Sequence, residues 1–125
     1  MKKSSHPSNT KSSILCRYVI QGLVEKKGND IVRIDLRKNK NPMADYLIVC
    51  TGESDRHARA LAESVEETIF KKTGLAVNRK EGIKLSEWVL LDYFDVIVHI
   101  FLREKREFYG LEELWGDAEI EKVSP

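Results

Sequence analysis

Two aspartates and a histidine stand close together in the most apolar stretch of the chain, and these residue types could carry out chemistry. Residues 88–101 read W-V-L-L-D-Y-F-D-V-I-V-H-I-F, so Asp92 and Asp95 form a tight polar step and His99 interrupts the apolar run that follows. Two carboxylates that converge on one face could hold a pair of metal ions ~4 Å apart. A carboxylate beside the imidazole could orient it as a general base.

The spacing of these residues weighs against both kinds of catalysis. Asp92 and Asp95 would point to opposite faces of a continuous strand, and a turn between them would place both in a loop. Asp95 would lie ~13 Å from His99 on a strand that rises ~3.3 Å per residue. Asp92 could reach the imidazole across a hairpin, because cross-strand neighbours are ~5 Å apart at Cβ. We therefore expect His99 to be a structural histidine or part of a binding surface.

A second candidate is the turn formed by Gly52, Glu53 and Ser54. A turn of this kind at a helix N-terminus presents backbone N–H groups and a positive dipole end, which suits phosphate. The negative charge of Glu53 would repel an anion, however, and Ser54 is expected to serve as the helix N-cap. A nucleotidyltransferase-like enzyme or nucleotide-binding module that uses this turn is therefore the alternative function.

The composition is that of an ordinary single domain. The chain has 125 residues, 33% charged and 42% hydrophobic, with a formal net charge of +1, which gives no global indication of nucleic-acid binding. Cys16 and Cys50 are expected to be buried reduced thiols, and the three histidines lack the spacing of metal ligands, so no cofactor is predicted. No apolar run reaches the ~20 residues of a membrane span. These features predict a cytoplasmic protein, with an organelle matrix as the less favoured location.

Hydrophobic periodicity predicts the elements that position these residues. A polar N-terminal tail at 1–13 is expected to be disordered, the domain to span 14–115, and residues 116–125 to form a loose acidic tail. Helices are predicted at 14–27, with Ser12 or Ser13 as N-cap and Gly28 as the stop, and from Ser54 or Asp55 to Gly74. Strands are predicted at 31–36, 45–51 (central, covered on both faces), 75–78 (near an edge), 88–91 and 96–102, followed by short helical turns at 111–115. The order predicts a two-layer α/β or α+β domain with a mixed sheet of about five strands.

Three blocks of the sequence resemble the ribosomal silencing factor (Iojap) family. Residues 45–54, D-Y-L-I-V-C-T-G-E-S, are similar to the block D-x-x-[IV]-x-[CT]-[TS]-G-x-S. Glu81-Gly82 with residues 88–93 and 95–101 look like E-G…W-[IV]-L-x-D and D-V-[IV]-V-H-[IV]-F, and residues 106–115 match R-x-x-Y-x-L-E-x-L-W. The resemblance covers about residues 14–115 in order and spacing. One departure is Phe94, where many members carry glycine, and this leaves the turn type open.

The resemblance implies a protein that is not an enzyme. Its fold would be related to nucleotidyltransferases but would lack their catalytic carboxylates. Members of the family bind the large ribosomal subunit through ribosomal protein L-fourteen, near an intersubunit bridge. They block joining of the small subunit when nutrients are scarce and are also linked to large-subunit maturation. A homodimer is a further expectation, with no membrane contact and little direct contact with nucleic acid.

The resemblance and the residue types together indicate a recognition surface. Its expected members are Trp88, Asp92, His99, Tyr109 and Trp115. In addition, Glu112 and Glu113 are hypothesised to face a basic surface of the ribosome.

Overall fold

The computed structural model describes residues 11–38, 43–109 and 118–123 of the chain. Three helices and six strands follow one another in this part. Their order is α1 (Ser12–Glu25), β1 (Asn29–Asp35), β2 (Tyr46–Gly52), α2 (Asp55–Thr73), β3 (Arg79–Glu81), β4 (Trp88–Asp92), β5 (Val96–Leu102), α3 (Arg103–Tyr109) and β6 (Glu119–Lys122). None of the described helices combines the length and the apolar character needed to cross a membrane.

The six strands form one mixed sheet in the order β3-β4-β5-β2-β1-β6. Strands β2 and β5 pair in parallel, and all other neighbours pair antiparallel. Strand β2 lies inside the sheet and all seven of its residues are buried, which confirms the central position predicted from its apolar run. The mixed α/β fold is confirmed, with six strands where about five were expected.

The additional strand comes from the segment expected to be a loose acidic tail. Strand β6 pairs with β1, where Ile120 lies opposite Ile34. Arg33 forms an ion pair with Glu121, and the Val123 N–H donates to the Ile31 carbonyl at 2.8 Å. The expectation of a loose tail was therefore wrong for residues 119–122. The alternation E-I-E-K has a single apolar residue and gives little local signal, so the strand depends on hydrogen bonds from β1.

The short edge strand also lies elsewhere than predicted. Residues 75–78 form no ladder; Leu75 is buried in the core and Val77 packs against it. The ladder begins at Arg79, where β3 pairs with β4. All three residues of β3 are charged and exposed, a composition that discourages pairing of this edge with another chain.

The two longer helices pack on one face of the sheet and against each other. They approach tightly at Gly22, where a Cβ would lie 2.9 Å from the Val65 Cα, and the Ser64 hydroxyl donates to the Gly22 carbonyl at 2.7 Å. The predicted limits of α2 are confirmed, since Ser54 is the N-cap and Gly74 the C-cap with φ 78°. The N-cap of α1 is Lys11 and not a serine, and it makes no side-chain capping bond.

Both cysteines lie in this helix-covered core. Cys16 and Cys50 are free and buried, as the sequence predicted. Burial raises the pKa of each thiol to about 12. The thiols are therefore protonated near neutral pH and are poor nucleophiles.

The turn between β4 and β5 uses a conformation that favours glycine. Phe94 has φ 69°, and its N–H donates to Asp92 Oδ1 at 2.8 Å. The Tyr93 N–H donates to the Val96 carbonyl at 2.9 Å and closes the turn. This left-handed geometry is one that glycine adopts without strain, and here a phenylalanine adopts it.

We expect Phe94→Asn to be more stable than Phe94→Val, although burial alone would favour valine. Asparagine tolerates the left-handed region, whereas a β-branched side chain is strained there. The expected difference is about 1 kcal/mol in the free energy of unfolding, measured by urea denaturation. If the valine variant is as stable as the asparagine variant or more stable, the φ angle at residue 94 does not determine the stability of this turn.

Candidate partner-binding site

The sheet has a second face, opposite α1 and α2, which carries its own apolar cluster. Alternation along β4 makes the division clear, because Val89 and Leu91 are fully buried toward the helices while Trp88, Leu90 and Asp92 point to the other side and are half-buried. The second face consists of these last three residues and their neighbours on the same side of the sheet. The neighbours are Val32, Ile34, Leu47, Val49, Ile97, His99 and Phe101.

Three rings form the centre of the second face. The Trp88 and Phe101 ring centroids are 5.0 Å apart, and the His99 and Phe101 rings are nearly parallel at 6.2 Å. The Trp88 indole N–H donates to His99 Nδ1 at 2.9 Å. The imidazole is 6% exposed, and burial lowers the pKa of His99 to about 4. His99 is therefore a neutral acceptor that fixes the orientation of the indole.

The sequence left open that Asp92 reaches the imidazole across the hairpin, and the structure does not place it there. The cross-strand partner of His99 is Leu90, whereas Asp92 lies opposite Ile97. One carboxylate oxygen of Asp92 accepts from the Phe94 N–H, and the other lies 3.9 Å from Arg79. Asp92 thus closes the turn and places a charge at the rim of the second face.

Asp95 is buried at the other end of this turn and has a structural role. Its carbonyl accepts the backbone N–H groups of Asp45 and Tyr46, at 2.8 and 3.1 Å. This pairing joins the turn to the start of β2. Within the described ranges, no group of three or more histidine, cysteine or acidic side chains could hold a metal ion.

The Gly52–Ser54 turn uses its polar groups within the protein. Ser54 Oγ accepts the His57 N–H at 3.1 Å, and the Glu53 N–H donates to His57 Nδ1 at 3.0 Å. A Cβ on Gly52 would lie 3.2 Å from the Ala58 backbone, so the turn is packed against α2. The Glu53 N–H that could meet a phosphate already has a partner, and this counts against the nucleotide alternative.

The Glu53 carboxylate connects the turn to α3. Arg103 donates to both of its oxygens, and the Asn29 side-chain amide donates at 2.6 Å. The Arg103 hydrogen bond keeps the pKa of Glu53 below its usual value. Arg106 adds a bond to Thr51 Oγ1 at 2.7 Å. The start of α3 is thus fixed to the ends of β1 and β2.

The predicted site residues divide into two groups. Trp88, Asp92 and His99 come together on the second face, with His99 as internal support. Tyr109 is the last residue of α3, while Glu112, Glu113 and Trp115 lie outside the described residues. Sequence reasoning missed Leu90 as a member of this face, although strict strand alternation from Trp88 would have found it.

Comparison with known proteins gives consistent matches. A family model described as ribosomal silencing factor during starvation matches residues 8–125. A Bacillus subtilis protein named ribosomal silencing factor RsfS is 36% identical over 96 residues, which are 77% of this chain and 80% of that protein. A Haemophilus influenzae protein of the same name is 39% identical over 102 residues, which are 82% and 98% of the two chains. A crystal structure of a Chromobacterium violaceum protein matches with a TM-score of 0.81 at 36% identity, covering 86% of this chain and 88% of that one.

Proposed function

The chain belongs to the ribosomal silencing factor family, and we propose on this basis that it binds the large ribosomal subunit and sterically blocks joining of the small subunit. The docking partner on the subunit is ribosomal protein L-fourteen. Occupancy of that surface represses translation under nutrient limitation, and the same binding aids large-subunit maturation. The protein acts in the cytoplasm and without catalysis, since its effect requires only that it remains bound. The observation that carries this proposal is family membership over nearly the whole chain.

The second face supplies a physical basis for docking. Trp88 is an interface-anchor residue type, and here its indole is fixed by the bond to His99 and by the tilted ring contact with Phe101. Leu90 and Ile97 are half-buried, so part of each side chain remains available. A fixed aromatic residue loses little conformational entropy on binding. These properties suit recognition of a protein surface.

Charge supports a protein partner rather than RNA as the main contact. The net charge is +1, whereas proteins that bind phosphate backbones usually carry a strong basic excess. Arg79 lies close to both Asp92 and Glu81 at the rim of the second face, so this rim is not uniformly positive. Contact of Glu112 and Glu113 with a basic surface, and a homodimer, remain part of the proposal.

We expect Leu90→Asp to weaken binding to purified large subunits at least about 100-fold, because it places an unpaired carboxylate in the centre of a desolvated contact. Binding is measured by co-sedimentation, followed by reassociation with small subunits. Phe70→Asp is the matched control, since Phe70 lies on α2 in the helical layer and is 60% exposed. This control is expected to bind and to block joining as the unmodified protein does.

Two results would contradict the proposal. Undiminished subunit joining at saturating protein would exclude the steric block. Stabilisation by a nucleotide with Mg²⁺ that is lost on substitution of Asp92 or Asp95 would favour the enzyme or nucleotide-binding alternative. Circular dichroism of the Leu90→Asp variant separates loss of binding from loss of fold.

A further inference from the structure

The β3–β4 loop, residues 82–87, presents the most exposed of the large hydrophobic side chains in the described part of the chain. Leu85 at its tip is 72% exposed, and Lys84 beside it is also exposed. Single exposed leucines are common on protein surfaces and need no explanation by themselves. The way in which this loop is supported is what gives Leu85 significance.

The loop is held by a serine in an unfavourable backbone conformation. Ser86 is fully buried and has φ 58°, a region that side chains other than glycine, asparagine and aspartate seldom adopt. Its N–H donates to the Gly82 carbonyl at 2.8 Å, and its hydroxyl donates to the Ile83 carbonyl at 2.6 Å. Arg59 on α2 donates to the same hydroxyl at 3.2 Å. A strained residue persists only where its surroundings determine it strongly, and such residues cluster at functional sites.

The end of the loop is also tied to strand β5. The Glu87 carbonyl accepts the Leu102 N–H at 3.0 Å, which ties the end of the loop to β5. Trp88 follows immediately and begins β4. Leu85 is therefore displayed at a defined position three residues from the Trp88 anchor. A side chain presented in this way needs little additional ordering when it binds.

We propose that Leu85 is an apolar anchor that inserts into a recess of the same ribosomal protein that the second face contacts. This inference rests on the proposed function and extends its binding surface to the β3–β4 loop. Leucine has no charge for a phosphate group and no ring on which a base could stack, so a protein recess and not RNA is the occupant that fits. The exposed tip and its rigid support both suit insertion into a concave surface.

The test compares Leu85→Asp with Phe70→Asp in co-sedimentation with purified large subunits. The loop variant is expected to bind at least about 10-fold more weakly, while the α2 variant binds as the unmodified protein does. Both side chains are mostly exposed, so both variants should keep the thermal unfolding midpoint. Arg59→Gln removes the guanidinium from Ser86 and is expected to weaken binding several-fold with Leu85 still in place.

The outcomes separate this inference from the proposed function. Suppose that the unmodified protein and Leu85→Asp both bind normally while Leu90→Asp does not. The role of Leu85 as an anchor is then wrong, and the proposed function is supported. If the unmodified protein itself fails to bind, the proposed function fails. If Leu85→Asp changes the sedimentation coefficient of the free protein, the loop contacts a second copy of the chain, which would also overturn the inference.

Discussion

Replacement of Gly82 by alanine is expected to lower the free energy of unfolding by roughly 3 kcal/mol or more, from two separate costs. Gly82 has φ 83°, and a Cβ there would lie 2.0 Å from the Trp88 carbonyl oxygen. That oxygen belongs to the backbone at the first residue of β4, so it cannot rotate away as a side chain would. Relief of the overlap requires β4 or the loop to shift.

Gly74→Ala is the matched control for this prediction. Gly74 has nearly the same φ, 78°, but a Cβ there would meet no described atom within 4 Å. Its substitution carries only the dihedral cost, about 1 kcal/mol. The difference in the free energy of unfolding is measured by urea denaturation of both variants in a Trp115→Phe background. Unfolding is monitored by tryptophan fluorescence, which then reports on Trp88. If Gly82→Ala and Gly74→Ala lose the same free energy of unfolding, the overlap with the Trp88 carbonyl adds no cost and the prediction is wrong.

The Gly82→Ala substitution is also expected to weaken binding to the partner. Gly82 supports both the β3–β4 loop and the first residue of β4. Displacement of the loop would move Leu85, and displacement of the start of β4 would move Trp88. We therefore expect Gly82→Ala to bind large subunits poorly even at a temperature where it remains folded.

Acidification from pH 6.5 to about 4 is expected to remove roughly 3 kcal/mol of stability through His99 alone. Burial lowers the pKa of this histidine from 6.5 to about 4. Below pH 6.5 the unfolded chain takes up the proton while the folded chain does not, so the unfolded state is stabilised relative to the folded state as the pH falls. The stability is fully present above pH 6.5, and about 2 kcal/mol should be lost by pH 5.

The variant His99→Gln tests this assignment. Glutamine can still accept from the Trp88 indole, but it does not titrate. The variant is expected to be less stable at pH 7.5 and to lose most of the slope between pH 6.5 and 5 in urea denaturation. Asp35 and Glu53 have pKa values below their ordinary ones, so their contributions are lost at lower pH. A slope unchanged in the glutamine variant would mean that another group is responsible.

The amino-acid sequence alone determined the features that depend on neighbouring residues. The apolar run of β2 predicted a central strand, and the Ser54 and Gly74 caps predicted the limits of α2; both are confirmed. Strand geometry also predicted that Asp95 and His99, four residues apart along the chain, lie too far from each other to share a hydrogen bond. Each of these signals extends over a few residues or a single helix turn, and so it can be read along the chain.

Only the tertiary structure decided which distant groups meet. It gave His99 the Trp88 indole as its partner, where the sequence had only left Asp92 as a possible one, and it placed residues 119–122 in strand β6. It also joined Arg103 to Glu53, fifty positions away. Strand register and the closing of long loops select these contacts, and a change of register by one residue between β4 and β5 would separate Trp88 from His99. The residue types therefore predicted a binding surface, while the packing of the sheet determined which of these residues share the second face.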